Sequence, residues 1–131
     1  MIVSILLPYK ENYSPEYPGA VSLFVHATNK ISSFKNEITV FGNTDLKEKL
    51  SSNYINIPLD KSNLFKSQSK EYVNKFVNLQ LSLRADIIEI HNRPNYVNLI
   101  KKIKSKIVLY FHNDPISMVG SKKIFERINL L

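Results

Sequence analysis

Residues 86–115 read DIIEIHNRPNYVNLIKKIKSKIVLYFHNDP, and the fold follows from how this stretch divides. Asp86–Ile90 and Lys106–Phe111 are apolar runs rich in β-branched and aromatic residues, each the length of one strand. Between them Tyr96, Leu99, Ile100 and Ile103 recur at helical spacing. A strand, a helix and a second strand in so short a span make a βαβ unit, whose two strands run parallel. Both runs end in the same pattern, His-Asn-x-Pro, at His91 and at His112. Two of the chain's three histidines are placed this way.

The same alternation continues towards the N-terminus. Ile2–Leu7 reads as a buried strand, followed by a loop over Pro8–Pro18. Val21, Phe24, Val25, Thr28 and Ile31 then share a helical face. Glu37–Phe41 is a second strand, closed by the turn pair Gly42-Asn43. Asp45–Leu50 reads as a short helix, Tyr54–Ile57 as a third strand and Pro58–Ser69 as loop. Tyr72, Phe76, Leu79 and Leu83 form the stripe of a further helix, and Ile124, Phe125, Ile128 and Leu131 that of a last one. Strands alternating with helices predict an α/β domain: a mainly parallel sheet of about five strands with helices on both faces. Continuous apolar strands such as Ile107–Phe111 suit burial on both sides. The last helical pattern still runs at Leu131, so the chain is expected to be the front piece of something longer.

The 131 residues suffice for one domain with one core, and a hydrophobic content of 44% is ordinary for a globular chain. With no cysteine, disulfides and thiolate metal sites are excluded. No apolar run approaches the ~20 residues of a membrane span, and the N-terminus lacks the basic leader of a signal peptide. The chain therefore reads as cytoplasmic. The net charge of +7 is one-sided: residues 1–65 hold six basic and six acidic side chains, residues 66–131 twelve and five. Such a balance suits an anionic partner, or else a solvated lysine surface.

In a parallel α/β sheet, ligands gather at the carboxyl ends of the strands, where helix N-termini also point. His91 and His112 are expected to share that edge with Gly19, which opens the first helix after Pro18. Each histidine is either a strand-end packing residue or a group facing a ligand. Asn92 and Asn113 can bond local backbone or a ligand hydroxyl. The long first loop, with Tyr9, Lys10, Glu11, Tyr13 and Tyr17, suits a polar ligand such as a sugar. A metal is not expected, since Asp114 is the nearest additional ligand and no spaced third one follows. The dinucleotide fingerprint, the P-loop and the nucleophile elbow are all absent, and no cofactor is expected.

In this order the segments resemble the N-terminal domain of GT-B glycosyltransferases of family 4. Pro18-Gly19-Ala20-Val21 is similar to that family's Pro-Gly-Gly-Val. Glu37–Val40 and Asp86–His91 are similar to its second strand and its "DIIHxH" strand, and Lys106–Asp114 to the strand ending in His-Asp. The resemblance covers essentially the whole chain. It implies a Rossmann-like, acceptor-side half of a two-domain retaining enzyme. Such an enzyme moves a sugar from a nucleotide-sugar to a glycan or lipid-linked acceptor, as in cell-envelope polysaccharide synthesis. The donor domain with its Glu pair would lie beyond this chain, which alone would be inactive and would expose apolar cleft surface for self-association.

By that resemblance Gly19 and Ala20 present backbone N–H groups to the donor diphosphate, and His112 is the catalytic residue near the transferred sugar. His91 lines the acceptor side, so that its loss acts on acceptor KM. Asn92, Asn113, Asp114, Tyr9 and Lys10 are the further sugar-contacting candidates. Ala20 departs from the family's second glycine, which restricts close phosphate approach. The resemblance also implies peripheral contact with the inner membrane face, for which Lys101, Lys102, Lys104 and Lys106 are the basic cluster. Two other classes remain open: a stand-alone α/β module that binds an anion or nucleotide without chemistry, and a nucleic-acid binder using the basic second half. The second is disfavoured because the aromatics there fall on apolar stripes rather than among the basic residues.

Overall fold

The computed structural model describes residues 1–60, 62 and 67–118. The helix expected over Ile124–Leu131, and part of the loop before Ser69, lie outside them. Among the described residues nine elements follow in chain order: strand β1 (Val3–Leu6), helix α1 (Ala20–Ile31), β2 (Ile38–Gly42), β3 (Tyr54–Asn56), α2 (Gln68–Leu83), β4 (Ile87–His91), α3 (Tyr96–Leu99), β5 (Lys106–Tyr110) and a 3-10 turn at Pro115–Ser117. The five strands form one sheet in the order β3-β2-β1-β4-β5, and every neighbouring pair is parallel.

Register decides which side chains meet. Val3 pairs with Ile38 and Ile87, and Ile87 with Lys106. Side chains alternate across the sheet, so Val3, Ile5, Leu7, Ile38 and Val40 share one face. There they pack with Val21 and Val25 of α1. Leu6, Phe41, Ile88 and Ile90 occupy the opposite face with Tyr72, Val73 and Phe76 of α2, and with Tyr96 and Ile100. The result is the expected Rossmann-like arrangement of helix, sheet and helix layers.

Helix α2 starts at Ser67, whose hydroxyl accepts from Lys70 N–H, and Glu71 complements the positive end of its dipole. It stops at Arg84, which adopts a left-handed φ of 50° and returns its N–H to Gln80. Asp86 then aligns the amino edge, accepting the Ile2 N–H at 2.7 Å through its carboxylate.

Several local expectations differ from the structure. Asp45–Leu50 is not helical. The Lys49 ammonium takes the Thr44 and Leu46 carbonyls, and Leu50 N–H goes to Tyr13, so the backbone groups a helix needs are engaged elsewhere. Helix α3 ends at Leu99 rather than reaching Ile103. There the N–H groups of Ile100 and Ile103 bond three residues back instead of four, which tightens the chain into successive turns. Strand β5 is not continuously buried. It lies at the sheet edge, and Val108 and Tyr110 remain 43% and 40% exposed. On α1, Ser22 and Asn29 are buried with Val21 and Val25, while Thr28 and Ile31 face outwards.

Candidate functional site

The chain runs from β1 outward to β2 and β3, then crosses back to place β4 on the other side of β1. In sheets of this kind, ligands bind where the strand order reverses, here at the carboxyl ends of β1 and β4. Three segments meet there: the loop after Leu7, the start of α1, and the ends of β4 and β5. Three residues at this edge, Lys10, Tyr17 and Asn92, have left-handed backbones with φ of 65°, 51° and 53°. Asparagine tolerates that conformation, and lysine adopts it less readily.

The first turn of α1 already holds a carboxylate. Gly19 caps the helix in ordinary extended conformation, and Glu11 Oε1 accepts the Ser22 N–H at 3.0 Å. A Cβ on Gly19 would stand 1.9 Å from that oxygen. The glycine therefore leaves the room that the Glu11 carboxylate occupies in the free chain. Ala20, in the first turn, is exposed. Gly19→Ala is expected to push the Glu11 carboxylate off the helix end and cost about 1 kcal/mol. In a Glu11→Ala background the same change should be within about 0.5 kcal/mol of neutral. A double-mutant cycle by urea denaturation checks this, and equal costs in both backgrounds would uncouple the two residues.

The two histidines stand in contact. His91 Nδ1 lies 2.7 Å from His112 Nε2, and His91 Nε2 lies 2.5 Å from Glu89 Oε1. Glu89 and His91 share a face because they are two apart on β4. Tyr110, paired with His91 across the β4–β5 ladder, stacks on its ring at 5.3 Å. Phe24 of α1 presses edge-on against His112 at 4.8 Å between centroids. His91, expected on the acceptor side, is completely buried, so its ring presents no surface to a ligand in this structure. It is a strand-end residue lying beneath His112, which is only partly covered.

Burial lowers the His112 pKa below its ordinary 6.5 and His91 lowers it further, while the charges of Glu11 and Glu89 oppose the shift. The folded chain therefore binds fewer protons at His112 than the unfolded chain does. Stability from this group is present above about pH 6.5 and is lost as pH falls towards the folded-state value. Thermal unfolding between about pH 7 and 5 should show a falling midpoint, with a shallower slope in His112→Gln. An unchanged slope would deny the group this role.

The remaining site residues divide by what holds them. Asn92 is buried; its Oδ1 accepts the His112 N–H at 2.8 Å and its own N–H donates to Tyr110, so it fastens the end of β4 to β5. Asp114 caps the turn at Pro115 by accepting the Ile116 N–H. Asn113 and Lys10 are exposed. Tyr9 donates its N–H to the Tyr96 hydroxyl and carries the Lys10 ammonium over its ring. Tyr13 is a core residue, stacked on Tyr54 at 5.0 Å with its hydroxyl on Ser51. Glu89 was not apparent from the sequence, although its place two residues before a strand-end histidine is the signal that would have found it.

Among the described residues no group of three or more histidine, aspartate or glutamate side chains could hold a metal ion. No helix there is long and apolar enough to cross a membrane. Compared with known proteins, the chain matches no family model, no curated protein and no solved structure.

Proposed function

We propose that this domain is the acceptor-side half of a retaining GT-B glycosyltransferase. One observation carries the reading most. An anion-holding helix end, with Glu11 on the first turn of α1, and a partly covered imidazole, His112, belong to one cluster at the carboxyl edge of the sheet. Transfer from a nucleotide-sugar needs both kinds of group: N–H donors for a diphosphate and a polar side chain at the sugar. A donor phosphate would displace Glu11 or bind beside it. Asn113, Lys10 and Tyr9 are the remaining groups for sugar hydroxyls. The test is the longer coding sequence and its product. A second α/β domain with a Glu pair, and sugar transfer from a nucleotide-sugar by the full chain, are expected. A stop codon after Leu131 would overturn this reading in favour of a stand-alone anion-binding module, which the Glu11 contact also favours.

Peripheral membrane contact would use the opposite edge. Lys102, Lys104 and Lys106 line a shallow depression of about 860 Å³ at the amino ends of the strands, together with Arg84 and Asp86. Basic residues near an anionic surface contribute about 1 kcal/mol each. Contact there leaves the histidine edge directed away from the surface. Sedimentation with anionic vesicles should carry the protein down and neutral vesicles should not; equal binding to both removes the case. Nucleic-acid binding is the weaker alternative, because Tyr72, Phe76 and Tyr96 of the basic half are buried and Tyr110, though 40% exposed, stacks on His91, which leaves little ring surface for bases.

A further inference from the structure

We infer that Glu89, His91 and His112 form a proton relay in which His112 Nδ1 receives a proton from a bound hydroxyl, and Glu89 is the positioning residue that determines which nitrogen does so. The inference rests on the proposed function only in taking a hydroxyl-bearing ligand to sit at His112.

The hydrogen-bond inventory sets the direction. An ionised carboxylate only accepts. At 2.5 Å from Glu89 Oε1, His91 Nε2 must therefore carry its proton. Neutral His91 then has a lone pair on Nδ1, and the nitrogen 2.7 Å away, His112 Nε2, must donate to it. Neutral His112 is left with its lone pair on Nδ1. One carboxylate thus specifies both tautomers through two contacts, as the outer partner of an imidazole commonly does.

The same chain tells where charge goes. When a ligand O–H bond breaks, its electron pair stays on the ligand oxygen and a new N–H bond forms at His112 Nδ1. The His112 Nε2–H bond can then break as a His91 Nδ1–H bond forms. Both rings keep their hydrogen bonds, now reversed between them. The positive charge comes to rest on His91, against the Glu89 carboxylate. His91 is fully buried, so of the two rings only His112 can meet a ligand, while the Glu89 carboxylate at the far end stays partly exposed. Rings from two other elements hold the geometry: Tyr110 of β5 stacks on His91, and Phe24 of α1 packs against His112. The titratable groups facing the pair are Glu89, Tyr110 and, from the first loop, Glu11.

The test is imidazole nitrogen NMR on the ¹⁵N-labelled chain, titrated from about pH 8 to 5. At the alkaline end, His112 is expected to be protonated on Nε2 and bare on Nδ1. Glu89→Gln keeps a carbonyl acceptor but removes the counter-charge, so the His112 midpoint should fall by about 1–3 units, a loss of roughly 10- to 1,000-fold in proton affinity. A neutral His112 protonated on Nδ1, or a midpoint unmoved in Glu89→Gln, overturns the relay. Should that variant not fold, the tautomer of the unaltered chain decides alone. None of these readouts needs substrate. Correct tautomers without sugar transfer by the full-length protein would overturn the glycosyltransferase reading and leave the relay standing; transfer with the wrong tautomers would do the reverse.

Discussion

Phe76→Ala is expected to destabilise the domain by about 3–5 kcal/mol. The ring is fully buried and meets Phe41 edge-on at 5.1 Å. Its position on α2 places it over β2 and the centre of the sheet, within the larger core cluster. Parallel strands bonded on both sides cannot close over a lost ring, so most of the cavity would persist. Against a total stability of roughly 5–15 kcal/mol for a domain of this kind, the loss is severe. Leu79, three residues on, is the control. It is 38% exposed, and Leu79→Ala should cost less than about 1 kcal/mol. Urea denaturation of the two variants checks this. Similar costs would mean that the buried face of α2 has been misidentified.

In the full-length enzyme of the proposed function, His112→Ala is expected to lower kcat by about 10²–10³-fold with a small change in KM. A group that acts on developing charge or a moving proton affects the transition state more than the bound ground state. His91→Ala should follow it, lowering kcat through His112. An effect on acceptor KM alone is not expected, because a residue with no exposed surface touches no acceptor. Steady-state kinetics of both variants separates the outcomes. Unchanged turnover in both would make the pair strand-end packing. A rise in acceptor KM alone for His91→Ala would place a ligand where the structure has protein.

The parallel sheet was legible in residues 86–115 because strand and helix periods are local properties. Each follows from a few neighbouring side chains. The Pro-Gly start of α1 and the edge location of His91 and His112 belong to the same class, since parallel strands put their ends together; Gly42, by contrast, is no turn residue but the last of β2, paired with Asn56. Burial was less legible. The apolar stripe on α2 includes Leu79 and Leu83, yet Gln80 is the residue that turns inward, with its amide oxygen on the Ser4 hydroxyl of β1. Two faces of a broad stripe look equally apolar in one dimension, and the partner layer selects between them.

The site itself was decided by tertiary structure. That Glu11 would fill the space over Gly19 depends on how the intervening loop folds back, with Gly19 N–H on the Asn12 carbonyl, and no spacing rule specifies that. The two histidines looked equivalent in sequence, each at the end of an apolar run before Asn-x-Pro. The β4–β5 register and the Asn92 bridge to His112 put one beneath the other, burying His91 and leaving His112 partly open. Local pattern brings residues to an edge. Which of them are covered, and which pair through hydrogen bonds, is set by contacts between strands and loops far apart in the chain.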